Sequence, residues 1–124
     1  MLVTPVDTER FEWVHQHWTP RDDDVFIASF PKSGTTWTQQ IVRLIYSGGL
    51  IHDGDPALHA IIPWLDDSED LPDLSVVDTM NSPRVFKSHN PYHFLPCKLT
   101  ESNRLIYVTR TAKDTAVSMY FHTF

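Results

Sequence analysis

The 124-residue sequence predicts an α/β fold, a partial parallel sheet flanked by helices. Two observations carry that expectation. "VFIASF" and "RLIYVTR" are short, nearly unbroken apolar runs rich in β-branched and aromatic residues, which suits strands buried on both faces. Each of them leads into a segment of helical character, and repeated strand-to-helix units are the signature of a parallel sheet.

The elements follow in order. Val25 to Phe30 reads as the first strand, and Pro31 ends it. From Thr35 onward, Trp37, Ile41, Leu44 and Ile45 recur at helical spacing, and the paired Gly48 and Gly49 supply a stop. Ile51 to Ser82 is rich in Asp and Pro and weakly periodic, which predicts loops with one short helix around Pro56 to Ile62. "PRVFKSH" then offers a short strand from about Arg84 to Ser88. A third strand is expected over Arg104 to Arg110, and "AKDTAVSMYFHTF" begins a helix that reaches the last residue. Three strands leave sheet edges and apolar faces uncovered, so residues 1–124 are expected to be an incomplete amino-terminal part of one larger domain.

Composition narrows the function. The chain is 41% hydrophobic, 12% aromatic and 21% charged, with a formal net charge of −6. A general nucleic-acid binder needs a basic face to neutralise phosphates, so that class is disfavoured, while a small anionic ligand needs only a few local donors. Acid gathers in Asp22 to Asp24 and in Asp66 to Asp73; both stretches read as solvated loops, because neither has calcium-loop or zinc-ligand spacing. Cys97 is the single cysteine, which precludes an internal disulfide and fits a reducing compartment. No apolar run reaches membrane-spanning length, and "MLVTPVDTERFEWVHQHW" lacks the basic-then-apolar order of a signal peptide. A cytoplasmic protein without membrane or nucleic-acid partners is expected.

The loop from Pro31 to Trp37 carries the first chemical signal. A strand that passes through a glycine-containing loop into a helix presents unpaired N–H groups where the helix dipole also favours negative charge. Gly34 allows close backbone approach to an anion, Ser33 to Thr36 offer amides, Thr35 and Thr36 add hydroxyls, and Lys32 adds a mobile positive charge. The alternative is a tight turn with a solvent-exposed lysine. The loop is P-loop-like but departs from G-x-x-x-x-G-K-[ST], in which lysine follows the last glycine and a hydroxyl binds magnesium. Here Lys32 precedes Gly34, which favours a metal-free reaction.

Two further groups stand at strand ends. In an extended Arg84 to His89 segment, Lys87 and His89 share one face and Ser88 takes the other. An imidazole with a reference pKa of about 6.5 can act as a general base near neutral pH; a structural or solvent-facing histidine is the other reading. Arg110 ends its strand and Ser118 lies on the following helix, a guanidinium and a hydroxyl suited to phosphate. Arg110 could instead pair with Asp114, and Ser118 could simply pack.

"PKSGTTW" at Pro31 to Trp37 resembles the 5′-phosphosulfate loop of cytosolic-type sulfotransferases, and "DDVFIAS" resembles the lead-in to it. "MNSPRVFKSHNPYHFLP" resembles the segment that holds the family's catalytic base, and "RLIYVTRTAKDTAVSMYFH" its 3′-phosphate segment, with Thr111 where asparagine is usual. The resemblance implies a truncated part of a larger sulfotransferase domain. It also implies transfer of a sulfonyl group from 3′-phosphoadenosine 5′-phosphosulfate (PAPS) to a hydroxyl or amine of a small-molecule acceptor, without metal. His89 matches the base, Lys87 and Lys32 the charge-stabilising lysines, and Arg110 and Ser118 the 3′-phosphate contacts. In the family the loop lysine also engages the helix serine, here Ser118. Trp37 matches the tryptophan against the adenine, or packs in the core; Trp64 of "IPWLD" matches an aromatic acceptor gate, or packs likewise. The family's later arginine-lysine-glycine motif has no counterpart within residues 1–124. Rival readings are a P-loop phosphotransferase and a module that binds adenosine bisphosphate without turnover.

Overall fold

The structure, a computed structural model, describes residues 8–65, 74–95 and 97–123. Helix α1 (Thr8–His17) leads to strand β1 (Val25–Ser29), helix α2 (Thr35–Tyr46) and the short helices α3 (Leu58–Ile61) and α4 (Leu74–Thr79). Strand β2 (Val85–Ser88), a 3-10 turn over Tyr92–Phe94, strand β3 (Arg104–Val108) and helix α5 (Ala112–Thr123) complete the order.

The sheet is parallel in the order β2-β1-β3, with Val25 opposite Val85 and Arg104. β1 lies at the centre, and its five residues are all buried, which accounts for the apolar run from Val25 to Ala28. Alternation sends side chains to two cores. Phe26 and Phe86 stack at 5.4 Å and pack with Val14, Trp18, Leu65, Val77 and Cys97. Val25, Ile27 and Val85 face the other way onto Val42 of α2 and Ile62. Residues 29, 87 and 89 continue this second alternation, which brings Ser29, Lys87 and His89 to the α2 side.

Four elements match the expected strand-helix-strand-helix frame to within two residues at each end, and the short helix around residues 58–61 is present. β2 is likewise where "PRVFKSH" placed it. Two helices were not foreseen. α1 buries Val14, and Trp18, just past the last residue of the helix, is buried one turn further on with its backbone N–H donating to the Val14 carbonyl at 2.9 Å. α4 has six residues and buries Val77, too short a stretch for periodicity to show.

The acidic stretch Asp22 to Asp24 corrects an expectation, because Asp24 is 0% exposed rather than solvated. Its carboxylate holds the buried Arg84 guanidinium at 2.8 Å and 2.5 Å, and it also accepts the Arg21 N–H at 2.7 Å. A buried carboxylate is tolerable only with such partners. The second acidic stretch, Asp66 to Asp73, lies outside the described residues. β3 corrects a second expectation: rather than being buried on both faces it is mostly exposed, Tyr107 included, because it is an outer strand of the sheet, and Tyr120 and Phe121 of α5 are exposed as well.

Candidate functional site

The carboxyl ends of all three strands open into one cleft of about 500 Å³. β1 neighbours β2 on one side and β3 on the other, so the chain reverses its direction of travel across the sheet at β1, where open α/β sheets form their binding crevice.

The loop after β1 is a tight turn closed by the Ser33 N–H donating to the Phe30 carbonyl at 3.2 Å. Pro31 and Lys32 are its central residues. Lys32 has φ 65, the left-handed conformation demanded of the second central residue when proline sits at the first in a type II turn. A non-glycine residue there costs about 1 kcal/mol or more, strain of the kind found at binding sites. Its carbonyl accepts a 3.2 Å hydrogen bond from Arg110 Nη1, which ties the first strand-helix unit to the second.

Gly34 caps α2 with φ 112. An added Cβ would meet only Val108 Cγ1 at 3.8 Å, so conformation rather than space requires glycine. No side chain caps α2 there, and the first backbone bond of the helix runs from Thr38 N to Gly34 O at 3.1 Å. The amides of residues 35–37 therefore precede the helical ladder and face the cleft end of the helix. Thr35, buried, shares a short hydrogen bond with the Ser29 hydroxyl.

Across the cleft stand Lys87 and His89. Residues 63–65 run alongside β2: Lys87 N donates to Pro63 O at 2.9 Å, and Leu65 N donates to Lys87 O at 2.9 Å. This pairing sets Trp64 beside both side chains. Lys87 Nζ sits 3.9 Å from the Trp64 ring centroid, and the His89 ring meets Trp64 edge-on at 5.2 Å and 85°. His89 Nδ1 lies 2.9 Å from the Ser29 carbonyl oxygen. A carbonyl only accepts, so Nδ1 carries the proton and, in the neutral ring, the lone pair sits on Nε2.

The structure thus brings Lys32, Gly34, Thr35, Thr36, Trp37, Trp64, Lys87, His89, Arg110 and Ser118 to one cleft. Ser33 is the exception: its amide closes the turn, and its side chain lines an adjacent hollow with Tyr107 and Met119. Trp37 is 80% exposed on the cleft, so it does not pack in the core. Arg110 reaches Lys32 rather than Asp114, whose carboxylate accepts from Thr111 Oγ at 2.7 Å while its N–H returns to that hydroxyl at 3.3 Å, a reciprocal cap for α5. Thr111 therefore starts the helix where asparagine was usual.

Sequence reasoning passed over His122 and Ser29. His122 also lines the cleft, and its spacing of one helical turn from Ser118 could have disclosed it. Ser29 carried no pattern, since its two partners lie in other elements. A third hollow of about 460 Å³ adjoins the cleft, sharing Thr36, Trp64 and Lys87 and walled by Leu58, Ile62, Val76 and Met80. Among the described residues, no three His, Cys, Asp or Glu side chains cluster as a metal would need, and no helix is long and apolar enough to cross a membrane.

Fold and cleft together define an α/β protein with a P-loop-like turn and an uncapped helix start at the carboxyl edge of a parallel sheet. A family model described as the sulfotransferase domain matches residues 22–124, and the chain belongs to that family. Human sulfotransferase 1E1 is 36% identical over an alignment covering 91% of this chain and 45% of that protein. Among solved structures, mouse sulfotransferase SULT7A1 complexed with PAP matches with a TM-score of 0.62 and 27% identity, covering 94% of this chain and 39% of that one. Retinol dehydratase in complex with retinol and PAP shares the fold with a TM-score of 0.74 at 22% identity, over 94% of this chain and 44% of that one. The chain thus spans less than half the length of these relatives.

Proposed function

We propose that the full-length protein transfers a sulfonyl group from PAPS to a hydroxyl or amine of a small-molecule acceptor, with His89 as general base. The observation that carries this is the convergence of Lys32, Lys87, His89 and Arg110 on the one cleft above the strand ends. The donor set suits a bisphosphate: uncapped amides and threonine hydroxyls at the start of α2 for one phosphate, Arg110 and Ser118 from the β3-α5 unit for the other. PAPS supplies an activated sulfonyl group and a stable leaving group.

The chain's own residues do the rest. His89 Nε2 takes the proton of the acceptor oxygen as that oxygen becomes nucleophilic. Lys87, held over Trp64, faces negative charge on the sulfonyl oxygens, and Lys32 neutralises the leaving oxygen. Trp37 offers an exposed ring to the adenine. The hollow behind Trp64 is walled mainly by apolar side chains, so we place the acceptor's apolar body there with its reactive group toward His89. The same reading places the protein in the cytoplasm, in line with the lone, buried Cys97 thiol.

Incubating the full-length protein with PAPS and a panel of phenols, alcohols and amines is expected to give sulfated product at a rate unchanged by EDTA. Magnesium-dependent phosphate transfer would replace this reading with a phosphotransferase, and nucleotide binding without any product would reduce it to a binding module.

Arg110 gives a second test. Arg110→Ala is expected to raise the Kd for adenosine 3′,5′-bisphosphate at least about tenfold more than the Kd for adenosine 5′-phosphate, since a charge-assisted hydrogen bond is worth about 1.5–3 kcal/mol. The 5′-phosphate compound loses only what the tether to the Lys32 carbonyl contributes. Equal losses for both nucleotides would remove the 3′-phosphate role.

A further inference from the structure

We propose that Ser29 is a positioning residue for the donor's 5′-phosphate, acting through the hydroxyl of Thr35. The proposal rests on the sulfonyl-donor reading above. Ser29 is the last residue of β1, 2% exposed, and it touches both halves of the site. Its Oγ is hydrogen-bonded to Thr35 Oγ1 at the first position of α2, and its carbonyl accepts the Nδ1–H of His89.

Two hydroxyls that share one hydrogen bond can point either way. If Thr35 donates to Ser29, lone pairs of Thr35 face the cleft and repel an anion. If Ser29 donates to Thr35 Oγ1, the Thr35 proton is released toward the cleft and can be given to a phosphate oxygen. A deprotonated phosphate oxygen accepts and cannot donate, so its binding selects the second arrangement, and Ser29 is the group that sustains it. The same residue holds His89 through its carbonyl, so phosphate and base are both referenced to one point on the central strand. That common reference keeps the proton acceptor in register with the bound donor.

The test is calorimetric titration of the full-length protein with two nucleotides, adenosine 3′,5′-bisphosphate and adenosine 3′-phosphate, which lacks the 5′ group. Ser29→Ala is expected to raise the Kd of the bisphosphate about tenfold and to leave that of the 3′-phosphate within about twofold. Ser29→Thr, which keeps the hydroxyl, is expected to restore bisphosphate binding. In a Thr35→Val background, where no hydroxyl remains to be oriented, Ser29→Ala is expected to add no further loss. Equal losses for both nucleotides would show a merely structural serine and overturn the proposal. Unchanged bisphosphate binding, or an undiminished loss in the Thr35→Val background, would overturn it as well, with the donor reading intact. A full-length parent protein that binds neither nucleotide would overturn the donor reading itself, and this proposal with it.

Discussion

Replacing His89 by alanine in the full-length protein is expected to lower kcat for sulfonyl transfer by about a hundredfold or more, with a much smaller change in acceptor KM. The geometry around the ring gives the reason. Its Nδ1–H is committed to the Ser29 carbonyl at 2.9 Å, so the basic nitrogen is Nε2, and the edge contact with Trp64 fixes the plane of the ring. A base held in this way is in place before the acceptor arrives, and the rate benefits from orientation as well as from proton removal. His89→Asn separates these effects, because the amide can still donate to the Ser29 carbonyl but cannot accept a proton at neutral pH. Both variants are therefore expected to lose rate to a similar degree, while thermal unfolding stays near that of the parent, since His89 is only half-buried. Steady-state kinetics with PAPS and a phenolic acceptor provide the measurement; either variant retaining activity within a few-fold would rule out His89 as the base.

The parts of this site that were legible in the sequence are those encoded locally. Gly34 after a buried strand, the threonines at the start of a helix, and the alternation of Lys87 with His89 are patterns over a few residues, and the structure places all of these residues on one cleft. Helices α2 and α5 were legible from the apolar spacing and from the start at Ala112. What stayed hidden depends on partners in other elements of the fold. Ser29 has no local signature, because its meaning lies in Thr35 and His89. α1 buries Val14 and is followed at once by the buried Trp18, but its ten residues hold only Phe11, Trp13 and Val14 as apolar positions, a stripe too short to stand out. Asp24 looked solvated because it sits in a run of aspartates, whereas its burial follows from Arg84, 60 residues further along. Charge clustering reports neighbours in sequence, and the dielectric surroundings of a carboxylate are set by neighbours in space.

That ion pair carries the largest expected effect on stability. Arg84 is 1% exposed and gives Nε and Nη2 to the two oxygens of Asp24, while Nη1 reaches the Val77 carbonyl and Asp78 at 3.3 Å each. Its guanidinium lies 5.5 Å from the Trp18 ring and 5.3 Å from the Phe86 ring. Burial works against the charge, but the hydrogen bonds and charge of Asp24, followed by those of Asp78, outweigh it and hold the guanidinium above its ordinary pKa. Arg84→Met fills much of the same space and leaves Asp24 buried with little beyond the Arg21 N–H, which is expected to cost about 3–5 kcal/mol. Adding Asp24→Leu removes the stranded carboxylate, so the double variant is expected to recover most of that loss, because a buried pair replaced by apolar residues is often neutral. Urea unfolding of parent, single and double variants measures both terms. A single variant within about 1 kcal/mol of the parent would show that the pair contributes nothing to the fold. The effect also reaches the cleft: the pair joins the starts of β1 and β2, where Val25 lies opposite Val85, and it is from that register that Lys87 and His89 come to line the same cleft as the loop after β1.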